Sequence, residues 1–554
     1  MRLLFNSYFS KTVVRYVPLC VALVVVILAA LRLSDYGYGS DSAGMLEQIH
    51  TFLETGQYKT THFPPGFGIL AYPLYLVTEN IPFSGVLLNY LCYLLILILT
   101  YSLSKSAGFS TFQSGFVVAV VALNPGVYTE SNNGMSELVY AFLLVLVSFL
   151  TIKIITGEKW ICKTILVGIV LSFTYLIRAE VLVVALLVVC IFLFLHIGVS
   201  IKRRLLQAVI VALMVVSTAF LYSSYLHSIT GDIAVTGKTD DVFFNYGGQV
   251  DRLALLVFSV DLDIQSSNKV LDYIIKNPIV FLLRMIFNTM DLIATLLMSL
   301  WYVLIPFICG FIWSVAQPRN SLKQIVSDVL RVQRQHMMLI GVIALVVVLP
   351  VFSLVLFFIA DRFVLPASVG ASLILGLSTV YLLRRNERAL IVLLVFSVLL
   401  SILNPYDFLR SNGMGITDIF HGRVFSLSNA HKNAQWSIPY RDSMNWVRIN
   451  LTLDDDVVIA GSKKGGTMLA FLDPQKTKIS NGKFIQLPEN LTATVIVETL
   501  AQGVDLVVLN DNYVDQKLFR SFLVKEKTVG TKTEVCHADA EKGFIILALP
   551  GNCK

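Results

Sequence analysis

Up to residue 403 of this 554-residue chain, most ionisable residues stand between or at the edges of long apolar runs, and a few have types and positions suited to chemistry. Asp41 lies just past the first run, opening a segment in which Met45, Leu46, Ile49, Phe52 and Leu53 repeat at helical spacing. A carboxylate there either caps the helix or takes a proton from a hydroxyl nucleophile. Glu137 enters another apolar run, where a carboxylate costs free energy unless it faces a cavity or finds a partner, although the helix N-terminus also suits its charge. Arg178 and Glu180 share one tight turn and either pair with each other or serve a site. Arg362, Arg284 and, behind them, Arg252 are placed either to grip phosphate oxygens with two parallel bonds or to meet lipid headgroups. His62, near aromatic residues, reads as a structural histidine or as a metal or acceptor contact.

The elements that must carry these groups are membrane spans. With 56% hydrophobic and 14% charged residues and a mean hydropathy of +0.74, the chain lies outside the range of soluble globular proteins. Its formal charge of +7 sits in short clusters between apolar runs, where basic residues orient spans, so no nucleic-acid partner is expected. About eleven spans are predicted, at residues 13–31, 83–103, 112–123, 138–155, 161–177, 181–199, 205–226, 292–315, 338–360, 365–383 and 389–403. The first is longer than a signal-peptide core and has no small-residue cleavage site before Asp35, so it is expected to remain as a span. If the N-terminus is cytoplasmic, the basic clusters around Lys105, Lys153 and Lys163, Lys202 to Arg204, Arg319 to Arg334, and Arg384 to Arg388 all fall inside. The odd number of spans then puts the C-terminus outside, together with the loops at 34–82, 124–135, 178–180, 227–291 and 361–362. Residues 67–77 and a stretch near residue 280 read as further interfacial helices.

From residue 404 the pattern becomes that of a small soluble α/β domain. Helices are predicted at 440–449, 492–501 and 516–524, strands at 457–460 and 506–510, and a closing hairpin that ends at 544–549. Two domains follow, 1–403 in the membrane and 404–554 outside it. Gly461-Ser-Lys-Lys-Gly-Gly is too irregular for a phosphate loop. Cys536 and Cys553 are the two cysteines of the tail, and whether they pair depends on the tail being outside the cytoplasm.

Tyr38-Gly-Ser-Asp41-Ser-Ala-Gly-Met-Leu, then Gly56-Gln-Tyr and His62-Phe-Pro-Pro-Gly, resemble the first outside loop of GT-C glycosyltransferases. Within that superfamily the chain looks like the bacterial branch related to protein O-mannosyltransferases and the lipid A aminoarabinose transferase. Asn124-Pro125, Ser136-Glu137, Leu176-Ile-Arg178-Ala-Glu180, Phe244-Asn-Tyr-Gly-Gly248, Lys276-Asn-Pro278 and Asp361-Arg362-Phe-Val-Leu-Pro366 follow in order. Ser42 stands where relatives often have a second acidic residue, and Phe63 where the aminoarabinose transferases have a basic one.

The resemblance implies a polytopic α-helical membrane enzyme, inverting, that moves a hexosyl or pentosyl unit from a polyprenyl-phosphate donor to a glycan, lipid or protein acceptor at the outer face of the bacterial plasma membrane. It makes Asp41 the base, and Glu137, His62, Glu180 and Tyr246 the acceptor or sugar contacts. Arg362, Arg284, Arg252 and Arg178 become the phosphate contacts. Phosphate is already a good leaving group, so no acid partner is required. No cluster has metal-ligand spacing, and a divalent cation is the one cofactor left open. A transporter would instead place ionisable or helix-breaking residues in mid-span and repeat its halves. Neither is evident, and a non-catalytic partner in glycan assembly is the remaining alternative.

Overall fold

The computed structural model describes residues 8–31, 33, 40–56, 63–157, 160–196, 199–230, 243–244, 247–266, 269–316, 334–356, 361–383, 386–402, 438–451, 456–461, 483–487, 491–510, 533–539, 544–549 and 553. Each of the eleven apolar runs carries a helix. Seven of the described helices are long and apolar enough to cross a membrane. They are α1 (Tyr8–Leu31), α4 (Ile81–Ser106), α7 (Ser136–Thr156), α10 (Ile201–Thr230), α13 (Pro278–Ala316), the run that begins with α14 (Arg334–Ile343), and α15 (Asp361–Leu382). Four runs form shorter helices, α5 (Thr111–Ala122), α8 (Trp160–Tyr175), α9 (Val181–Cys190) and α16 (Glu387–Ile402). The chain is thus a polytopic helical membrane protein with a small sheet at its C-terminal end.

Local chemistry sets many of the boundaries. Ser110 and Gln113 form a reciprocal capping box that starts α5. Asn80 caps α4 through the Phe83 amide, with Pro82 in the first turn, where its missing N–H costs nothing. In the α14 run the helix passes through a π turn (Ala344–Val348) into a 3-10 stretch (Leu349–Leu356) beginning at Leu349-Pro350, where a backbone donor is missing. α5 is apolar all round and buried along nearly its whole length, as such a helix must be. At about 1.5 Å per residue its twelve residues are too short to cross a bilayer alone. Buried polar side chains tie the bundle together. Asn124 caps α6 (Pro125–Glu130) and donates to Ser368 and Ser372 of α15, and Tyr302 of α13 donates to the Val120 carbonyl.

The interfacial pieces expected before the second span are present as α2 (Ser40–Thr55) and α3 (Gly66–Thr78). They pack closely because Gly68 has no side chain: a Cβ there would lie 2.6 Å from the Met45 carbonyl oxygen. The loop before α13 contains α11 (Gly247–Val257) and α12 (Val270–Lys276), and Asn277 exchanges two hydrogen bonds with the Gln265 backbone to hold its return.

In the tail, β1 (Val458–Gly461), β2 (Lys483–Gln486), β3 (Leu506–Asn510), β4 (Glu534–Asp539) and β5 (Phe544–Ala548) form one mixed sheet in the order β2-β1-β3-β5-β4. β1 is parallel to β2 and β3, while β5 is antiparallel to β3 and β4. Strand alternation gives two apolar faces. One, with Ile459, Val508 and Ile546, meets Met444 and Val447 of α17 (Ile438–Asn450). The other, with Val507 and Leu547, meets Ile496 and Leu500 of α18 (Ala493–Ala501). Cys536 and Cys553 are joined by a disulfide. The short strand β2 was not foreseen, and the helix expected at 516–524 lies outside the described residues.

Candidate functional site

Three of the predicted site residues meet at one end of the bundle. Glu137 is the second residue of α7, 2% exposed, with its charge favoured by the helix N-terminus. Arg178 sits in the turn between α8 and α9, which is closed by the Arg178 amide donating to the Thr174 carbonyl and the Val181 amide to the Arg178 carbonyl. The Arg178 guanidinium is 2.9 Å from Glu180 Oε1 and 3.5 Å from Glu137 Oε1. It also lies over the rings of Tyr140, at 5.5 Å, and Phe363, at 4.7 Å. Burial alone would lower the arginine's pKa, but Glu180 and Glu137 beside it hold it above the ordinary value. Burial likewise pushes Glu180 up, and the opposing pull of Arg178, by charge and by hydrogen bond, leaves it below the usual glutamate range. The cluster thus brings two carboxylates, which accept hydrogen bonds from hydroxyls, to one guanidinium.

The cluster is connected to the opening loop by a short chain of contacts. The Gly66 amide donates to the Leu176 carbonyl at 2.7 Å, two residues before Arg178. A Cβ at Gly66 would lie 2.7 Å from that same carbonyl oxygen, so glycine is what permits the approach. At the other end of Phe63-Pro64-Pro65, the Phe63 ring covers Gly44 of α2, 2.8 Å from where its Cβ would be. Asp41 is in the first turn of α2, three residues before Gly44. The side chains of Asp41 and Arg362 lie outside the described ones, as do residues His62 and Tyr246. Arg362 is the second residue of α15, next to the Phe363 whose ring packs against Arg178. A small cleft lined by Tyr140, Arg178, Glu180, Pro350, Phe363 and Pro366 opens beside the cluster.

Arg284 is elsewhere. It is 1% exposed on α13 and forms a two-pronged ion pair with Asp251 of α11, with Nη2 to Oδ2 at 2.6 Å and Nε to Oδ1. Tyr273 of α12 donates its hydroxyl to the same carboxylate, and Phe243 lies beneath the guanidinium at 4.1 Å. Burial and the bond to Asp251 raise the Tyr273 phenol above its ordinary value. This pair ties both loop helices to α13. Arg252 is next to Asp251 but points the other way, exposed. The two clusters share an apolar neighbour, because Met285 and Phe363 both pack against the buried group that contains Leu292, Val355 and Val364. Asp251, Tyr273, Tyr140 and Phe363 were not picked from the sequence. A signal for Asp251 was present: it is in phase with Ala254 and Leu255 on the buried face of α11, which makes it an inward-facing carboxylate. Among the described residues no three His, Cys, Asp or Glu side chains converge as a metal site.

No family model and no curated protein matches the chain. Solved structures do. The chain is similar to ArnT from Cupriavidus metallidurans bound to undecaprenyl phosphate, at 12% identity over 99% of each chain with a TM-score of 0.49. It is also similar to the archaeal oligosaccharyltransferase AglB from Archaeoglobus fulgidus in complex with an inhibitory peptide and a dolichol-phosphate, at 12% identity over 93% of this chain and 71% of that one with a TM-score of 0.46. At this distance neither likeness assigns an activity.

Proposed function

We propose that the chain is a membrane glycosyltransferase that moves a hexosyl or pentosyl unit from polyprenyl phosphate to an envelope glycan, lipid or protein, with inversion. The observation that carries this reading is the continuous path from the first turn of α2, through Phe63 and Gly66, to the Glu137–Arg178–Glu180 cluster. It links the helix turn that carries Asp41 to the carboxylates and guanidinium of that cluster. In the proposed reaction Asp41 takes the proton of the acceptor hydroxyl, whose oxygen bonds to the sugar's anomeric carbon. The bond from that carbon to phosphate breaks on the opposite face, and polyprenyl phosphate leaves with the electron pair. Glu137 and Glu180 hold sugar or acceptor hydroxyls, Arg178 aims both carboxylates, and Arg362 meets the phosphate. Arg284 acts by holding the loop helices through Asp251 and Tyr273, and the exposed Arg252 beside Asp251 is left as a further phosphate contact.

The described basic side chains favour an orientation. Arg15 bonds Thr111, Lys105 bonds the Phe109 carbonyl, Lys153 bonds Ser106 and Arg203 lies over Trp160, all at the end of the helices away from Glu137 and Arg178. By the positive-inside rule that end faces the cytoplasm. The ionic cluster is then outside, at a bacterial plasma membrane, with the N-terminus in and the domain at 404–554 out, where the Cys536–Cys553 disulfide is stable. Asp41→Asn is expected to lower transfer by about 10²–10⁴-fold, the usual share of a general base, with expression and insertion unchanged. Transfer at the wild-type rate by that variant would remove the mechanism.

A further inference from the structure

The basic end of the bundle holds a second, different cavity. α14 and the residues after it run antiparallel to α15, with His336 beside Tyr381 (rings 5.5 Å apart) and Val347 against Gly370. Where the two helices meet α13, a cavity of about 270 Å³ opens between Phe307, Phe311, His336, Ile340, Ser378 and Tyr381. Tyr381 is 18 residues along α15 from Phe363, so at about 1.5 Å per residue the cavity lies roughly 27 Å from the ionic cluster, one bilayer core away. The lining is almost wholly apolar, and an apolar cavity of about 150 Å³ already excludes water and takes in a hydrocarbon. Its rim side chains Phe311 and Met337 are 42% and 57% exposed, so it opens sideways toward lipid.

Charge specifies the headgroup. The Phe109 ring is 5.3 Å from that of His336, and the exposed Lys105 donates to the Phe109 carbonyl. On the far side, the Asn386 amide bonds the Leu383 carbonyl and the Asn386 side chain caps α16, whose first turn carries exposed Arg388 beside Glu387. Lys105 thus reaches the lining through Phe109 and His336, and Arg388 follows the lining residue Tyr381 by seven positions with Glu387 beside it.

We infer that this cleft binds an anionic glycerophospholipid of the leaflet at the basic end, with one acyl chain between α13, α14 and α15 and its phosphate between Lys105 and Arg388. The site does not depend on the transfer reaction, whose donor is proposed to bind at the other face. The test is native mass spectrometry of the full chain released from detergent after titration with phosphatidylglycerol or with phosphatidylcholine of the same acyl chains. Phosphatidylglycerol is expected to be retained preferentially. Lys105→Ala and Arg388→Ala should each reduce that retention by about fivefold, and Ser378→Trp, which fills the cleft, should reduce it to background. Equal retention of the two lipids, or unchanged retention in all three variants, would overturn the proposal. Should Ser378→Trp misfold, a phosphatidylglycerol with a photoactivatable acyl chain gives a direct reading on the wild-type protein. Cross-links at 336–340 or 377–382 support the site. Cross-links confined to other helices, or outcompeted more strongly by a polyprenyl phosphate than by phosphatidylglycerol, contradict it.

Discussion

Asp251 has no exposure to solvent, and the partners that make its charge tolerable are Arg284 and the Tyr273 hydroxyl. Arg284→Met should therefore destabilise the protein by about 3–5 kcal/mol, the cost of a buried charge stripped of its counterion, whereas Asp251→Leu/Arg284→Met should recover most of that loss. Thermal unfolding in detergent measures both. A stable double variant that still fails in transfer would mean that Arg284 acts on the phosphate directly as well as through the loop. Glu180 gives a pH signature. Its pKa is lower when folded than the ordinary 4.5, so its contribution to stability is complete above that value and fades as pH falls below 4.5 through the depressed folded value. Glu180→Gln is expected to flatten that acid limb of the unfolding curve, and a limb unchanged by the substitution would show that Glu180 and Arg178 are not coupled.

Gly66 and Gly68 decide how the opening helices meet their neighbours. Gly66 lies against the Leu176 carbonyl and the Ile177 side chain, so even a methyl group there must push the opening loop from the turn that carries Arg178. Gly66→Ala is expected to cost about 1–3 kcal/mol and to depress transfer while leaving membrane insertion intact; transfer at the wild-type level with no change in unfolding would refute the junction. Elements of this kind were only partly legible. The spans were readable because apolar runs have a length fixed by the bilayer, and α2, α3 and most tail elements because their periodicity is local. Arg178 and Glu180 were foreseen as partners because they share one turn. That Glu137 joins them, or that Phe363 lies under the guanidinium, depends on packing between helices far apart in sequence, which no local pattern encodes. Arg284 illustrates the same limit. Its position at a span end reads as an available cation, and only the fold brings Asp251 to it. β2 escaped notice because a four-residue strand with mostly exposed side chains has almost no hydrophobic signal.

For the molecule as a whole, the two ends of the helix bundle carry opposite chemistry, with the Glu137–Arg178–Glu180 contacts at one and basic side chains with an apolar cleft at the other. The disulfide reports which is outside. In protein taken directly from cells, Cys536 and Cys553 should be found cross-linked, and replacing both by serine should destabilise the tail by about 3 kcal/mol, as expected for a closed loop of this size; reduced thiols in freshly isolated protein would place the tail in the cytoplasm. The most direct test of the central claim is the pool of lipid-linked sugars in cells that lack this protein, measured by mass spectrometry before and after return of the wild-type or the Asp41→Asn chain. A polyprenyl-phosphate sugar should accumulate in its absence, disappear with the wild-type chain, and persist with Asp41→Asn despite normal insertion. Clearance of that pool by Asp41→Asn, or no accumulation at all, would contradict the account.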